Sequence, residues 1–338
     1  VQAFRPTALW ASESPDAPSL AGLPQWTVFR QLGPQLAERL PVEYPGDGAA
    51  ALPQNGWLTA ADVGPSGPPS PHYELASGGK PSPITGRAVP RRTVQAWPQG
   101  ISAQFAVLLD GDSGEVLWGR DAYGEVAPAS LTKIVTAMVA LERSRLDDRV
   151  TVQVDSRAMY ESTVMGITPG ENLSMETLLH GLILPSGNDA ALAIAQHVGG
   201  SERAFVALMN ARVAELGLVN SRFANSHGLD ASDHYSSPFD ISTFARVGMA
   251  DPTFARVVAA RTYQAEGYAL MNTNRLLQIY PRADGVKIGY TDAAGRAISA
   301  SATQDGHRLL AALIRSYNPI PEAQALLEWG FRGFSWDT

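Results

Sequence analysis

A serine and a lysine three residues apart, Ser130 and Lys133 in Pro128-Ala129-Ser130-Leu131-Thr132-Lys133, open an apolar run from Ile134 to Leu141. Residues three apart share a helix face, so a hydroxyl nucleophile can meet an amine able to act as its base. Alone, the pair reads more readily as a serine near a helix start with a solvated lysine one turn on. Composition shifts that balance. Of 26 Lys plus Arg, only Lys80, Lys133 and Lys287 are lysines. Arginine keeps its proton near neutral pH, whereas a lysine amine gives it up when its surroundings depress its pKa. Lys133 and Lys287 therefore mark positions where arginine would not serve. Lys80 lies in Pro/Gly-rich text, where a surface charge suffices.

Two further short patterns follow in order, Ser186-Gly187-Asn188 and Lys287-Ile288-Gly289. Each is weak by itself, and the first also reads as a turn capping the next helix. Their joint value comes from order and placement. Ser130 falls at a helix start, Ser186 at a loop-to-helix turn, and Lys287 on a strand.

The elements that must hold these groups are legible from hydrophobic period and turn residues. Phe105 to Leu109 and Glu115 to Trp118 read as a hairpin around Asp110-Gly111-Asp112-Ser113-Gly114. Helices are predicted from Ser130 to about Arg143, from a Ser174 cap through Leu182, from Asn188 through Val198, and from a Ser201 cap to Leu216 before Gly217. Pro238 and Asp251-Pro252 introduce two more. Val286 to Tyr290, Arg296 to Thr303 and Arg308 to Ile314 read as strands, and Pro321 to Trp329 as a closing helix. The expected fold class is α/β (α+β): an antiparallel sheet made from both ends of the domain, with helices packed on it and a helical subdomain inserted.

Three segments are expected. Residues 1–67 alternate short apolar patches with turn signals and suggest a small β-rich domain. Gly56-Trp57-Leu58 resembles the closing strand of bacterial SH3-like barrels, with an irregular wrapping segment as the alternative. Residues 68–98 are a Pro/Gly-rich linker, and residues 99–338 form the domain carrying the three patterns.

The 338 residues are 45% hydrophobic and 17% charged, which is a globular composition. A net charge of −7 argues against nucleic acid as a partner. The absence of cysteine excludes disulfides and thiolate metal sites, and no apolar run is long enough for a membrane span. The chain starts at Val1 without a Met, as expected of a processed or trimmed N-terminus.

From about Gln104 to Phe331 the chain resembles the serine D-alanyl-D-alanine carboxypeptidases, low-molecular-mass penicillin-binding proteins that share a fold with serine β-lactamases. The resemblance rests on the three patterns together with Leu184-Pro185-Ser186-Gly187-Asn188-Asp189-Ala190, Asn225-Ser226-His227-Gly228-Leu229-Asp230, Asp284-Gly285-Val286-Lys287-Ile288-Gly289-Tyr290-Thr291 and Trp329-Gly330-Phe331. It implies that Ser130 attacks the D-Ala-D-Ala carbonyl, Lys133 takes its proton and Ser186 relays a proton to the leaving amine. Asn188, Lys287, Ile288, Gly289 and Tyr290 would contact substrate, with the backbone N–H groups of Ser130 and Tyr290 as the oxyanion hole. Bringing an amine pKa from about 10.4 to near 7 costs roughly 4 to 5 kcal/mol in stabilisation of the charged form. Burial, a helix N-terminus and Lys287 all push that way. The implied partners are the peptidoglycan stem peptide and β-lactam antibiotics. No cofactor or metal is implied, and the implied location is extracytoplasmic, secreted or wall-associated.

The chain departs from the family in two places. Ile288 replaces the usual Thr, whose hydroxyl helps bind the substrate's terminal carboxylate. The basic residue often found before the last helix has no clear counterpart in Ser316-Tyr317-Asn318-Pro319-Ile320-Pro321, Arg315 lying earlier. A weakened or redirected peptidase is the expectation. The chain also ends soon after Phe331, where many relatives continue into a β-rich domain and a membrane anchor; a soluble or wall-associated protein is expected. The competing readings are a β-lactamase, although the Glu-x-x-Leu-Asn pattern of the commonest class is absent, and a wall-binding protein with a degenerate catalytic domain. His227, Asp230, Asp233 and His234 could suggest a metal loop, but no helical H-x-x-x-H spacing supports it. A Ser/His/Asp triad lacks the G-x-S-x-G elbow.

Overall fold

The computed structural model describes residues 90–336, apart from 94–96 and 160–161, together with short strands within residues 2–64. The chain divides into two units, Val1–Pro81 and Ser82–Thr338. In the first, Ser19–Leu23, Thr7–Trp10, Asn55–Thr59, Arg39–Glu43 and Arg30–Gln31 form a five-stranded sheet in that order, and Gln2–Ala3 pairs with Val63–Gly64. The SH3-like character of residues 1–67 and most of the 68–98 linker lie outside the described residues.

The second unit is built on one antiparallel sheet of β1 (Phe105–Asp110), β2 (Val116–Arg120), β3 (Ala283–Thr291), β4 (Gly295–Gln304) and β5 (His307–Ser316). Their order is β2-β1-β5-β4-β3, so strands from both ends of the unit meet at the β1/β5 ladder, where Ala312 pairs with Val107. β1 is apolar at nearly every position because both faces of this sheet are covered.

The helices between the two strand groups are α1 (Thr132–Arg143), α2 (Met175–Ile183), α3 (Asn188–Gly199), α4 (Glu202–Glu215), α5 (Pro238–Met249), α6 (Pro252–Ala259) and the short α7 (Leu276–Ile279), while α8 (Pro319–Gly333) closes the chain. Ser174, Ser201, Ser237 and Asp251 cap α2, α4, α5 and α6 through their side chains. α8 packs on one face of the sheet over Leu108, Ile298, Leu309 and Leu313. α5 covers β1 and β5, and α6 lies on β3. α1 is buried at nine consecutive residues, Thr132 to Ala140, which places it at the centre of the unit.

This matches the expected antiparallel sheet with inserted helices. One local expectation changes. Ser130 does not lie in the α-helix but in a 3₁₀ turn, Ala129–Leu131, that leads into it. The strand pairs Arg149–Thr151 with Asn172–Ser174 and Thr262–Ala265 with Tyr268–Met271 were not legible, being too short for a periodic signal.

Candidate active site

Lys133 is fully buried on the first turn of α1, and its Nζ has three oxygen neighbours. Ser130 Oγ lies at 3.0 Å, Asn188 Oδ1 at 2.5 Å and the His227 carbonyl at 2.6 Å. The chemistry of these partners is asymmetric. An amide oxygen and a backbone carbonyl only accept hydrogen bonds, whereas a hydroxyl can also donate. A neutral amine spends its two hydrogens on Asn188 and His227, which leaves its lone pair for the Ser130 hydroxyl proton. That is the geometry of a general base beside its nucleophile.

The electrostatics favour that neutral form. Burial pushes the Lys133 pKa well below the usual lysine range, the charge of Lys287 adds to the shift, and Asp189 opposes it. Lys287, also buried, is lowered to about 7 by its own desolvation. Its Nζ donates to the Ile288 carbonyl at 3.0 Å.

Backbone strain collects where these groups meet. Ala129, immediately before Ser130, has φ +49°, and Ser186 has φ +67°. Such conformations persist for non-glycine residues only when their surroundings hold them. At Ser186 the holding contacts are visible. Thr163 Oγ1 donates to the Ser186 carbonyl at 2.7 Å, Gly187 N–H to Gly181 O at 2.9 Å and Asn188 N–H to Thr163 O at 2.8 Å.

Asp189, wholly buried, ties that turn to the 162–167 loop. Its carboxylate accepts from the backbone N–H groups of Met165, Gly166, Ile167 and Ala190 at 2.8 to 3.1 Å. Asn188 Nδ2 donates to Ser162 Oγ at 2.5 Å, which orients its oxygen toward Lys133. Neither Asp189 nor Ser162 stood out as functional; the only hint was that Asp189 directly follows Ser186-Gly187-Asn188.

β3 supplies the other wall. A Cβ added at Gly289 would lie 3.0 Å from the Ser130 nitrogen and 3.1 Å from the Ala129 Cβ, so a side chain here would press the strand away from Ser130 by a few tenths of an ångström. Lys287 and Gly289 point to that side. Ile288, between them, is half-buried against the hydrophobic cluster under α8 on the other face, as strand alternation requires. Tyr290 is exposed at the mouth, 63% accessible. Because β3 is an edge strand of this sheet, half its backbone groups are open to an extended peptide.

The 225–234 loop is structural in its contacts. Ala224 N–H donates to His234 Nδ1 at 2.9 Å, so Nε2 carries the ring proton and donates to Thr132 Oγ1 at 2.9 Å. Burial lowers both His234 and His227 to about 4, which keeps them neutral. Asp230 accepts from Thr291 Oγ1 at 2.6 Å and Ala293 N–H at 3.1 Å, joining this loop to the end of β3. Among the described residues no three His, Asp or Glu side chains converge on a common metal position.

Comparison with known proteins is consistent with this arrangement. A family model described as D-alanyl-D-alanine carboxypeptidase matches residues 92–317. The D-alanyl-D-alanine carboxypeptidase DacF of Bacillus subtilis is 34% identical over 227 residues, covering 64% of this chain and 58% of that protein. The chain spans less than two thirds of the length of the curated relatives it first matches, 58%, 64% and 65%. Among solved structures, penicillin binding protein 5 from Haemophilus influenzae superposes with a TM-score of 0.67 at 31% identity, covering 70% of this chain and 73% of that one. A mutant of the Streptomyces K15 DD-transpeptidase superposes with a TM-score of 0.66 at 29% identity, covering 69% and 99%.

Proposed function

The chain belongs to the D-alanyl-D-alanine carboxypeptidase family, and from that premise we propose that it is a serine DD-carboxypeptidase acting on peptidoglycan stem peptides through an acyl-enzyme on Ser130. β-Lactams acylate the same oxygen. The observation that carries this reading is the set of partners around Lys133 Nζ, two of which can only accept, so that a neutral amine faces Ser130 Oγ with its lone pair.

In the proposed reaction Ser130 Oγ attacks the carbonyl between the two D-alanines as Lys133 takes its proton. The developing oxyanion is held by the backbone N–H groups of Ser130 and Tyr290. The C–N bond breaks, the departing amine receives a proton by way of Ser186, and D-alanine leaves. Water then hydrolyses the ester and restores Ser130. Asn188 holds the substrate amide and Lys287 presents a positive charge to the substrate's carboxylate. None of the proposed steps calls for a metal or cofactor. Its substrate lies outside the cytoplasm, so we assign the protein an extracytoplasmic, secreted or wall-associated location. Among the described residues no helix is long and apolar enough to cross a membrane.

Release of D-alanine from a D-Ala-D-Ala peptide, followed from pH 5 to 9, tests this reading. Activity requires neutral Lys133, so kcat/KM rises with pH through the lowered pKa of that amine. Lys287 titrates near 7 and must stay charged to attract a carboxylate, so kcat/KM falls again above neutrality. The expected profile is a bell whose falling limb lies near pH 7, where Lys287 loses its charge. No release at any pH, or a rise continuing to an ordinary lysine pKa of about 10.4, would contradict it.

Ile288 offers no hydrogen bond to a carboxylate, and we propose that it weakens or redirects recognition of the terminal group. Because β3 is an edge strand, a hydroxyl at position 288, although on the α8 face, can turn to a carboxylate lying along the open edge, and Ile288→Thr is expected to raise kcat/KM on a D-Ala-D-Ala peptide about tenfold, the value of one charge-assisted hydrogen bond. It should also lower the urea midpoint slightly, because Ile288 packs against the α8 cluster. An unchanged kcat/KM would remove Ile288 from substrate recognition.

A further inference from the structure

We propose that Glu202, the first residue of α4, is a positioning residue for the base: by holding Ser226 it keeps the neighbouring His227 carbonyl against Lys133, and so keeps the lysine lone pair on Ser130. The proposal rests on the carboxypeptidase reading above and adds to it a side chain from outside the three sequence patterns.

One oxygen of this carboxylate makes the contacts. Glu202 Oε1 accepts from the Ser226 N–H at 3.0 Å and from the Ser226 hydroxyl at 2.8 Å. Ser226 is wholly buried, so both donors lose their partner if that oxygen is removed. A buried N–H without an acceptor is costly, and the chain moves to avoid it. The same oxygen lies 3.7 Å from His227 Nε2. Leu229 N–H donates to His227 Nδ1 at 3.2 Å, so the ring proton sits on Nε2 and faces the carboxylate. Glu202 therefore braces the two residues that lead into the carbonyl Lys133 uses.

The peptide unit joining His227 to Gly228 has its carbonyl on Lys133 Nζ at 2.6 Å and its N–H on Asn225 Oδ1 at 2.7 Å. Asn225 belongs to the turn and moves with it. The Ser226 carbonyl accepts from Thr136 Oγ1 at 2.6 Å, one turn along α1 from Lys133. Two helices thus grip Ser226, α1 by its carbonyl and α4 by its N–H and hydroxyl. Releasing the α4 grip lets the turn pivot about Thr136 and carry the His227 carbonyl away from the amine. Lys133 then has a hydrogen without an acceptor, and its amine can rotate to spend that hydrogen on Ser130 Oγ. The lone pair leaves the proton it must take. The damage falls on the chemical step, because the hydrogen bonds of Glu202 go to the turn and not to the groups assigned to substrate. Since a single oxygen makes both bonds, the amide oxygen of glutamine can replace it without the charge.

The test times acylation of the full chain by a fluorescent penicillin over a range of penicillin concentrations, which yields a limiting rate and a half-saturating concentration. A rate constant does not depend on how much of the sample is folded. Glu202→Ala is expected to lower the limiting rate about thirtyfold, within the loss that a displacement of 1 Å carries, and to leave the half-saturating concentration within about twofold. Glu202→Gln should restore the limiting rate to within about threefold of native, as an oxygen acceptor is retained. Arg212, near the other end of α4, pairs with Glu142 of α1 at 3.0 Å. Arg212→Ala therefore loosens the same helix without touching the turn, and should lower the urea midpoint while keeping the native limiting rate. Ser226→Ala removes one of the two donors and leaves the N–H on Glu202; its limiting rate should fall about threefold to fivefold, which serves if Glu202→Ala does not fold. A native limiting rate in Glu202→Ala or in Ser226→Ala overturns the proposal. So does a Glu202→Gln as slow as Glu202→Ala, or an equal slowing in Arg212→Ala. A native chain that forms no adduct overturns the carboxypeptidase reading and the role of Glu202 with it.

Discussion

Replacing Lys133 with arginine is expected to slow acylation of Ser130 by about a thousandfold, a loss typical of removing a general base. The change replaces an amine that can be neutral near pH 7 with a guanidinium that keeps its proton. Lys133 Nζ has two partners that only accept and one hydroxyl. A guanidinium donates to all three and has no lone pair for the Ser130 proton. Arginine is also larger, and the site is completely buried. A Lys133→Met variant, close in length and uncharged, therefore serves as the companion. Both variants should be slow, and their urea midpoints separate a missing base from a damaged fold. Rates of penicillin acylation within tenfold of the native chain in either variant would show that Lys133 is not the base.

The second large effect is expected at Gly228. Its φ of +95° is unfavourable for any side chain, and an added Cβ would lie 2.0 Å from the Ala129 carbonyl oxygen and 3.0 Å from the Ser130 nitrogen. The neighbouring residue, His227, supplies the carbonyl that holds Lys133. Gly228→Ala must therefore displace either the turn before Ser130 or the loop whose carbonyl holds Lys133. Adopting the left-handed conformation costs about 1 to 3 kcal/mol, and relieving the overlap about as much again. We expect a loss of about 2 to 6 kcal/mol in urea unfolding from these two effects. Acylation should slow about a hundredfold in the molecules that remain folded, since a displacement of 1 Å at a reacting group carries a penalty of that order. A native urea midpoint or a native acylation rate would each contradict the geometry.

Much of this site was legible because its chemistry is carried by side chains at short, fixed spacing. Ser130 and Lys133 are three residues apart, Asn188 follows Ser186 by two, and the rarity of lysine singled out Lys133 and Lys287. The sheet was legible for a similar reason, since β3, β4 and β5 alternate or run apolar between clear turn residues. What escaped the sequence is carried by backbone. The third partner of Lys133 is a carbonyl 94 residues away, and a carbonyl has no residue signature. The positive φ of Ala129, which places Ser130 in a 3₁₀ turn, has none either. Asp189 lies in the 184–190 stretch that carries the resemblance, but its part in holding the turn rests on four backbone N–H groups, which have no residue signature. Ile288 was identified as a departure, but its packing beneath α8 depends on which face of β3 is covered.

We propose that Ser130 is a working nucleophile activated by a neutral Lys133. Labelling with a fluorescent penicillin, read on a denaturing gel and by intact mass, addresses it most directly. The native chain should carry one covalent adduct, and Ser130→Ala should carry none while keeping the native urea midpoint. An unlabelled native chain, or an adduct that persists in Ser130→Ala, would contradict the account.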